Sequence, residues 1–371
     1  MGTSGGTLIF YLVGFMTGVG LRHSFIITFF SRTAFKFNVL IFTAYLVITN
    51  FILLNIYLSF SNFLRSDIFL ISNIFGNYQT SGDMLIINFL ITSFAIFLML
   101  LRFFVKKTLF QSGMWLFTIP YSVTAIISSL ISLSIGSNKA TICILLVWSL
   151  TLLLSIITQN LKIRKFLQTN LSQLSIKRWF NLTVLGRVLL APILTLIFVG
   201  LVIYSVIVYL NFDLEKTRLF NFGEGGTNTS LTSRMEILED NFFIHWSYSP
   251  IFGHMNVDVE TTGVGTYVHS LPTYLLTHTG IIGFTMFFLY IFVATKELLY
   301  SSINELREYP LFISNALKIY SFIIIVSLLS FASFSVTLTW IPLWFIMGLI
   351  FTPMVFIPGK NSGLKLRDQR R

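Results

Sequence analysis

Uncharged apolar stretches of about 20 residues recur along this chain, and they dictate what it can fold into. Residues 39–60, 140–157 and 188–210 contain no Asp, Glu, Lys or Arg at all. A helix of that length crosses a hydrocarbon layer of about 30 Å. The strands of a membrane barrel would alternate apolar and polar residues at a period of two, which these runs do not do. Composition closes off the soluble alternative. Only 11% of the 371 residues are charged and 55% are hydrophobic, against about 25% charged in a soluble domain. The expected fold is therefore all-α: one polytopic membrane domain over residues 1–371 with about 9–10 transmembrane helices. Nine spans are readable, at 3–21, 39–60, 83–101, 114–134, 140–157, 188–210, 278–294, 319–338 and 341–357. Their interiors are expected to be almost free of ionisable residues. Cys143 is the single cysteine, which excludes a disulfide within the chain.

The connecting segments sort by charge. Twenty of the 25 Lys and Arg residues fall on one side of this arrangement, leaving only Arg65, Lys139, Lys216, Arg218 and Arg234 on the other. The positive-inside rule makes the rich side cytoplasmic, so the C-terminus is expected inside and the uncharged N-terminal tail outside. An outside start leaves two readings, an additional upstream helix or a different first span. No cleavable signal peptide is expected, because Met1 to Gly6 carries no basic residue. Ten of the 14 acidic residues lie on the outer side. The net charge of +11 thus reports topology and contact with anionic membrane lipids rather than nucleic acid.

Two connections are long. Residues 158–187 form a basic cytoplasmic loop with an interfacial amphipathic helix expected over 161–180. Residues 211–277 form the one sizeable polar region, an outer loop in which any chemistry should occur. Its glycine-rich GEGGTNTS stretch is turn-forming. Ser233 and Glu236 then make a capping box for a short amphipathic helix running to about Trp246, before Pro250 stops it. Arg234, Leu238, Asn241 and His245 would share one stripe of that helix. Arg234 has a plain reading as a surface ion-pair partner of Glu236 or Glu239. Its sharper reading is a guanidinium fork for phosphate oxygens. Lys139, in the tight turn GSNKAT, has a plain reading as a snorkelling helix-end lysine and a sharper one as a second phosphate cation. None of the five histidines lies three or four residues from another, so no metal site is expected. His269 and His278 read by default as hydrogen-bonded structural imidazoles.

The order of features in the outer loop resembles the O-antigen polymerase and ligase family. Those features are Ser233-Arg234, Trp246, Pro250 to Gly253, Val268-His269-Ser270, Leu275-Leu276 and Gly280-Ile281-Ile282-Gly283. FGNYQTSGD at 75–83 and LSIGSNKAT at 133–141 resemble that family's earlier outer turns, with Lys139 standing where Ser-Arg is usual. Two positions depart from the pattern: Ser270 follows His269 in place of Asn, and His254 follows Gly253 in place of a second Gly.

The resemblance implies a GT-C-like glycosyltransferase in the bacterial inner membrane, with the 211–277 loop periplasmic. Donor and acceptor would be undecaprenyl-diphosphate-linked oligosaccharides. A flippase and a chain-length regulator would be its protein partners, and no cofactor or metal would be needed. Arg234, with Arg218, Lys139 or Arg65, would stabilise charge on the departing diphosphate. His269 would act as general base, with Glu236, Glu239 or Asp240 as alternatives; His245, Trp246 and His254 would contact the glycan. Polymerase is the leading expectation. A ligase acting on lipid A-core, a polysaccharide flippase or transporter, and a non-catalytic membrane scaffold remain the alternatives.

Overall fold

The computed structural model describes residues 5–30, 35–60, 78–103, 115–134, 137–158, 242–254, 270–300, 311–335 and 340–350. Among these residues the chain is all helical, with no strand. The helices are α1 (Gly5–Phe30), α2 (Phe35–Phe60), α3 (Tyr78–Phe103), α4 (Trp115–Ser134) and α5 (Asn138–Ile157). The short α6 (242–248) precedes α7 (Leu271–Tyr300), α8 (Leu311–Ser335) and α9 (Ile341–Ile350). Five of them, α2, α3, α5, α7 and α8, are long and apolar enough to cross a membrane, the build of a polytopic helical membrane protein. The expected span at 188–210, the basic loop at 158–187 and most of the 211–277 loop lie outside the described residues.

Helix α3 is the axis of the bundle. Thr92 to Leu101 are buried on every side, as a helix that is apolar all round must be, and α1, α4, α5, α8 and α9 pack around it. Phe97 stacks on Tyr320 of α8 with ring centroids 4.0 Å apart, and Phe89 stacks on Tyr121 of α4 at 5.3 Å. Both tyrosine hydroxyls are satisfied inside the bundle. Ser93 and Tyr121 share a hydrogen bond of 2.8 Å, and Thr151 and Tyr320 share one of 3.1 Å. On the opposite flank of α4, Asn50 of α2 donates to the Pro120 carbonyl at 3.1 Å and accepts from Thr124 at 3.0 Å. Such bonds replace the water that hydrocarbon lacks and fix which helix neighbours which.

Among the described residues, the most extensive helix contact joins the first helix, α1, to the last, α9. Gly14 of α1 lies against Ile341, and Gly18, one turn on, lies against Phe345 and Leu349. A Cβ on Gly348 would come 1.9 Å from the carbonyl oxygen of Phe15. Backbone touches backbone here, the use to which small residues four apart are put in membrane helices.

Three expectations about the spans need correction. α1 continues past residue 21 to Phe30 and buries Arg22; α8 begins at Leu311 rather than 319 and buries Lys318. α3 begins at Tyr78 rather than at residue 83, which puts Asp83 inside the helix instead of at its edge. Span interiors are therefore not almost free of ionisable groups. A charged residue looks like a span boundary in a hydropathy reading, whereas a helix with partners for that charge can continue through it.

Candidate functional site

The described part of the 211–277 segment forms one unit with α7, and two glycines make that unit possible. α7 is broken at Gly280, whose φ of 66° and ψ of −173° belong to a region essentially reserved for glycine. A break in a membrane helix frees backbone N–H groups that must find other acceptors. Here the acceptors come from the turn after α6. Ile281 N–H donates to the Pro250 carbonyl at 3.0 Å, and Ile282 N–H donates to the Ile251 carbonyl at 3.2 Å. In the other direction, His254 N–H donates to the Thr277 carbonyl at 3.0 Å. Gly253 itself has φ +71°, and a Cβ there would sit 2.3 Å from Thr279 N. The Pro250–Gly253 turn and the Gly280–Gly283 run are thus two halves of one interlock.

Imidazoles and aromatic rings gather around it. His245 on α6 is 1% exposed. His278 stacks face to face on Tyr274 at 3.9 Å, and its Nδ1 shares a 2.9 Å hydrogen bond with Thr277 Oγ1. Both His245 and His254 lie within electrostatic reach of His278. Tyr248 meets the His254 ring edge-on at 5.1 Å, and Trp246 stacks on Phe242 at 6.2 Å. Two buried polar atoms, Trp246 Nε1 and His254 Nδ1, have no hydrogen-bond partner among the described residues. Buried donors and acceptors are normally paired, so this corner of the loop retains hydrogen-bonding capacity. His278 is packed at the break, stacked on Tyr274 and hydrogen-bonded to Thr277. Among the described residues no group of His, Cys, Asp or Glu is disposed to hold a metal ion.

Ser270 starts α7. Its carbonyl accepts from Tyr274 N at 2.8 Å and from Thr273 Oγ1 at 3.0 Å. His269, Arg234, Glu236, Arg218 and Arg65 lie outside the described residues. His245, Trp246 and His254 are brought together at the interlock.

Lys139 has a different setting. Ser137 N–H donates to the Ser132 carbonyl at 2.8 Å, which tightens the turn between α4 and α5 and puts Lys139 in the first turn of α5. Gly82 lets α3 approach this turn closely, since a Cβ would stand 2.3 Å from Ser137 Oγ. Lys139 Nζ then meets Asp83 Oδ1 at 2.8 Å and lies 5.6 Å from the centre of the Trp340 ring. Trp340 Nε1 donates to the same carboxylate oxygen at 2.9 Å. Three chain segments are clamped together by one ion pair. The sequence reading missed Asp83 and Trp340 in this role. The signal available was an acid and a lysine at neighbouring outer helix ends.

The class these features define is a polytopic helical membrane protein with a broken helix docked by the segment that precedes it. No family model, curated protein or solved structure matches the chain.

Proposed function

We propose that the protein is a GT-C-like glycosyltransferase of the bacterial inner membrane, an O-antigen polymerase that joins undecaprenyl-diphosphate-linked repeat units at the periplasmic face. The observation that carries this reading is the interlock. Pro250–Gly253 and Gly280–Gly283 are the two glycine motifs of the family resemblance, and they hydrogen-bond to each other. Motifs that are individually weak gain weight when they form one unit beside three of the expected glycan-contacting side chains.

In the proposed reaction an acceptor sugar hydroxyl attacks the anomeric carbon of the donor glycan. The bond from that carbon to the diphosphate oxygen breaks, and undecaprenyl diphosphate leaves. The hydroxyl proton passes to His269, with Glu236 as the alternative base. Negative charge collects on the leaving diphosphate, where Arg234 supplies a fork of donors supported by Arg218 and Arg65. Lys139 contributes least in this scheme, because Asp83 already answers its charge.

Complementation of a deletion strain tests the scheme. Arg234→Ala and His269→Ala should each lose long polysaccharide banding at normal protein levels, with turnover falling by on the order of 10² to 10³. Normal banding in both variants overturns it. The deletion itself separates polymerase from ligase: core capped by a single repeat marks a lost polymerase, and long lipid-linked chains beside uncapped core mark a lost ligase. A flippase or transporter is the second reading, favoured by the break in α7 and by the buried Arg22 and Lys318. Its loss would leave single lipid-linked units on the cytoplasmic face.

A further inference from the structure

The side of the interlock turned away from the bundle is apolar and open. On α6 and the following turn, Phe243, Ile244, Tyr248, Ile251 and Phe252 are exposed, Phe252 to 73%. The inward residue of the same helix is His245, which is buried. The segment is therefore amphipathic, with its greasy side facing away from protein. A water-facing loop would carry the opposite pattern.

What covers that side follows from where the segment is attached. Its turn is hydrogen-bonded to Ile281 and Ile282 of α7, which are themselves exposed. Further along the same helix Met286, Leu289, Tyr290, Phe292 and Val293 are exposed as well. Residues Leu271–Lys296 form one of the candidate membrane spans, so that face meets acyl chains. Ile251 and Phe252 continue it without a polar interruption. Depth can be bounded. From Ile281 to Lys296, the exposed charged residue at the far end, a helix rises about 22 Å at 1.5 Å per residue. In a hydrocarbon layer of about 30 Å, Ile281 lies about 8 Å below the opposite boundary when Lys296 marks its own. Interfacial amphipathic segments settle at about 5–10 Å.

We propose that residues 242–254 are a shallow re-entrant element, inserted into one leaflet with Ile251 and Phe252 among the lipid acyl chains and the histidine side facing the protein. The bilayer itself is the partner of this surface. The proposal is independent of the catalytic reading, since it concerns only how the segment sits.

Site-directed spin labelling of the full chain in phosphatidylcholine vesicles tests it. Cys143 is completely buried, so a nitroxide reagent reports an introduced thiol. Phe252→Cys and, as a second variant, Ile251→Cys are compared with Met286→Cys on the lipid face of α7. The expected result is greater collision with dissolved oxygen than with a water-soluble nickel chelate at 251 and 252, of the same order as at 286. Greater collision with the nickel chelate would place the turn in water and overturn the proposal. Suppressed collision with both would mean protein covers the turn, and would overturn it equally.

Discussion

Gly280→Ala abolishes the stable folded protein. Alanine is strained at φ 66° and ψ −173°, at about 1–3 kcal/mol, and its Cβ would stand 2.2 Å from the Ile251 carbonyl oxygen. Relieving that clash separates the turn from α7, which leaves the N–H groups of Ile281 and Ile282 without acceptors at about 1–3 kcal/mol each. The combined loss is on the order of 5 kcal/mol, comparable with the whole stability of a small domain. Gly253→Ala should behave alike, because its Cβ would meet backbone atoms of residues 278–280. Gly20→Ala is the control: nothing lies within 4 Å of a Cβ there, and alanine is the better helix former by roughly 0.5–1 kcal/mol. Unfolding of purified protein in mixed micelles, followed by tryptophan fluorescence, should show Gly280→Ala and Gly253→Ala far below wild type and Gly20→Ala at or above it. A Gly280→Ala protein that unfolds like wild type would show that the break is not needed.

The second large effect belongs to the clamp of Asp83, Lys139 and Trp340. Asp83→Asn removes the partner of Lys139, whose side chain is only 19% exposed. Breaking a buried pair from one side costs about 3–5 kcal/mol; with side chains in partial contact with the surroundings, about 2–3 kcal/mol is expected. Adding Lys139→Met to Asp83→Asn should recover most of the loss, because an uncompensated charge is worse than none. The four-corner comparison of wild type, both singles and the double variant measures the coupling directly. The double variant should retain polysaccharide banding. Loss of banding at normal protein level would instead give Lys139 a part in handling the diphosphate.

Hydropathy located the long described helices for a simple reason. An apolar run with no charge has nowhere else to go in a membrane, and 84–101 or 140–157 could hardly be misread. It failed where chemistry inside the bundle compensates for polarity. Arg22 and Lys318 looked like span ends because a lone charge in hydrocarbon is costly, yet each is buried within a longer helix. The break at Gly280 was invisible to it, since the apolar run passes through without change and the acceptors that permit the break lie in another segment. The resemblance marked Pro250, Gly253, Gly280 and Gly283 individually. Their pairing depends on tertiary contact, and no spacing rule encodes it. Asp83 and Lys139 were each visible, but their meeting depends on Gly82 letting two helices approach. His269 and Arg234 are still singled out by motif order alone, and the variants named for them carry the test.

The close packing of α1 on α9 sets an order on how the molecule is made. The two helices that touch most extensively are the first and the last of those described. At about 5–20 residues per second, roughly 15–60 s separate their synthesis. Throughout that interval the face of Gly14 and Gly18 stands without its partner. Closure of this seam is thus timed by the arrival of Gly348, and a ribosome that stalls before α9 leaves α1 without its packing partner.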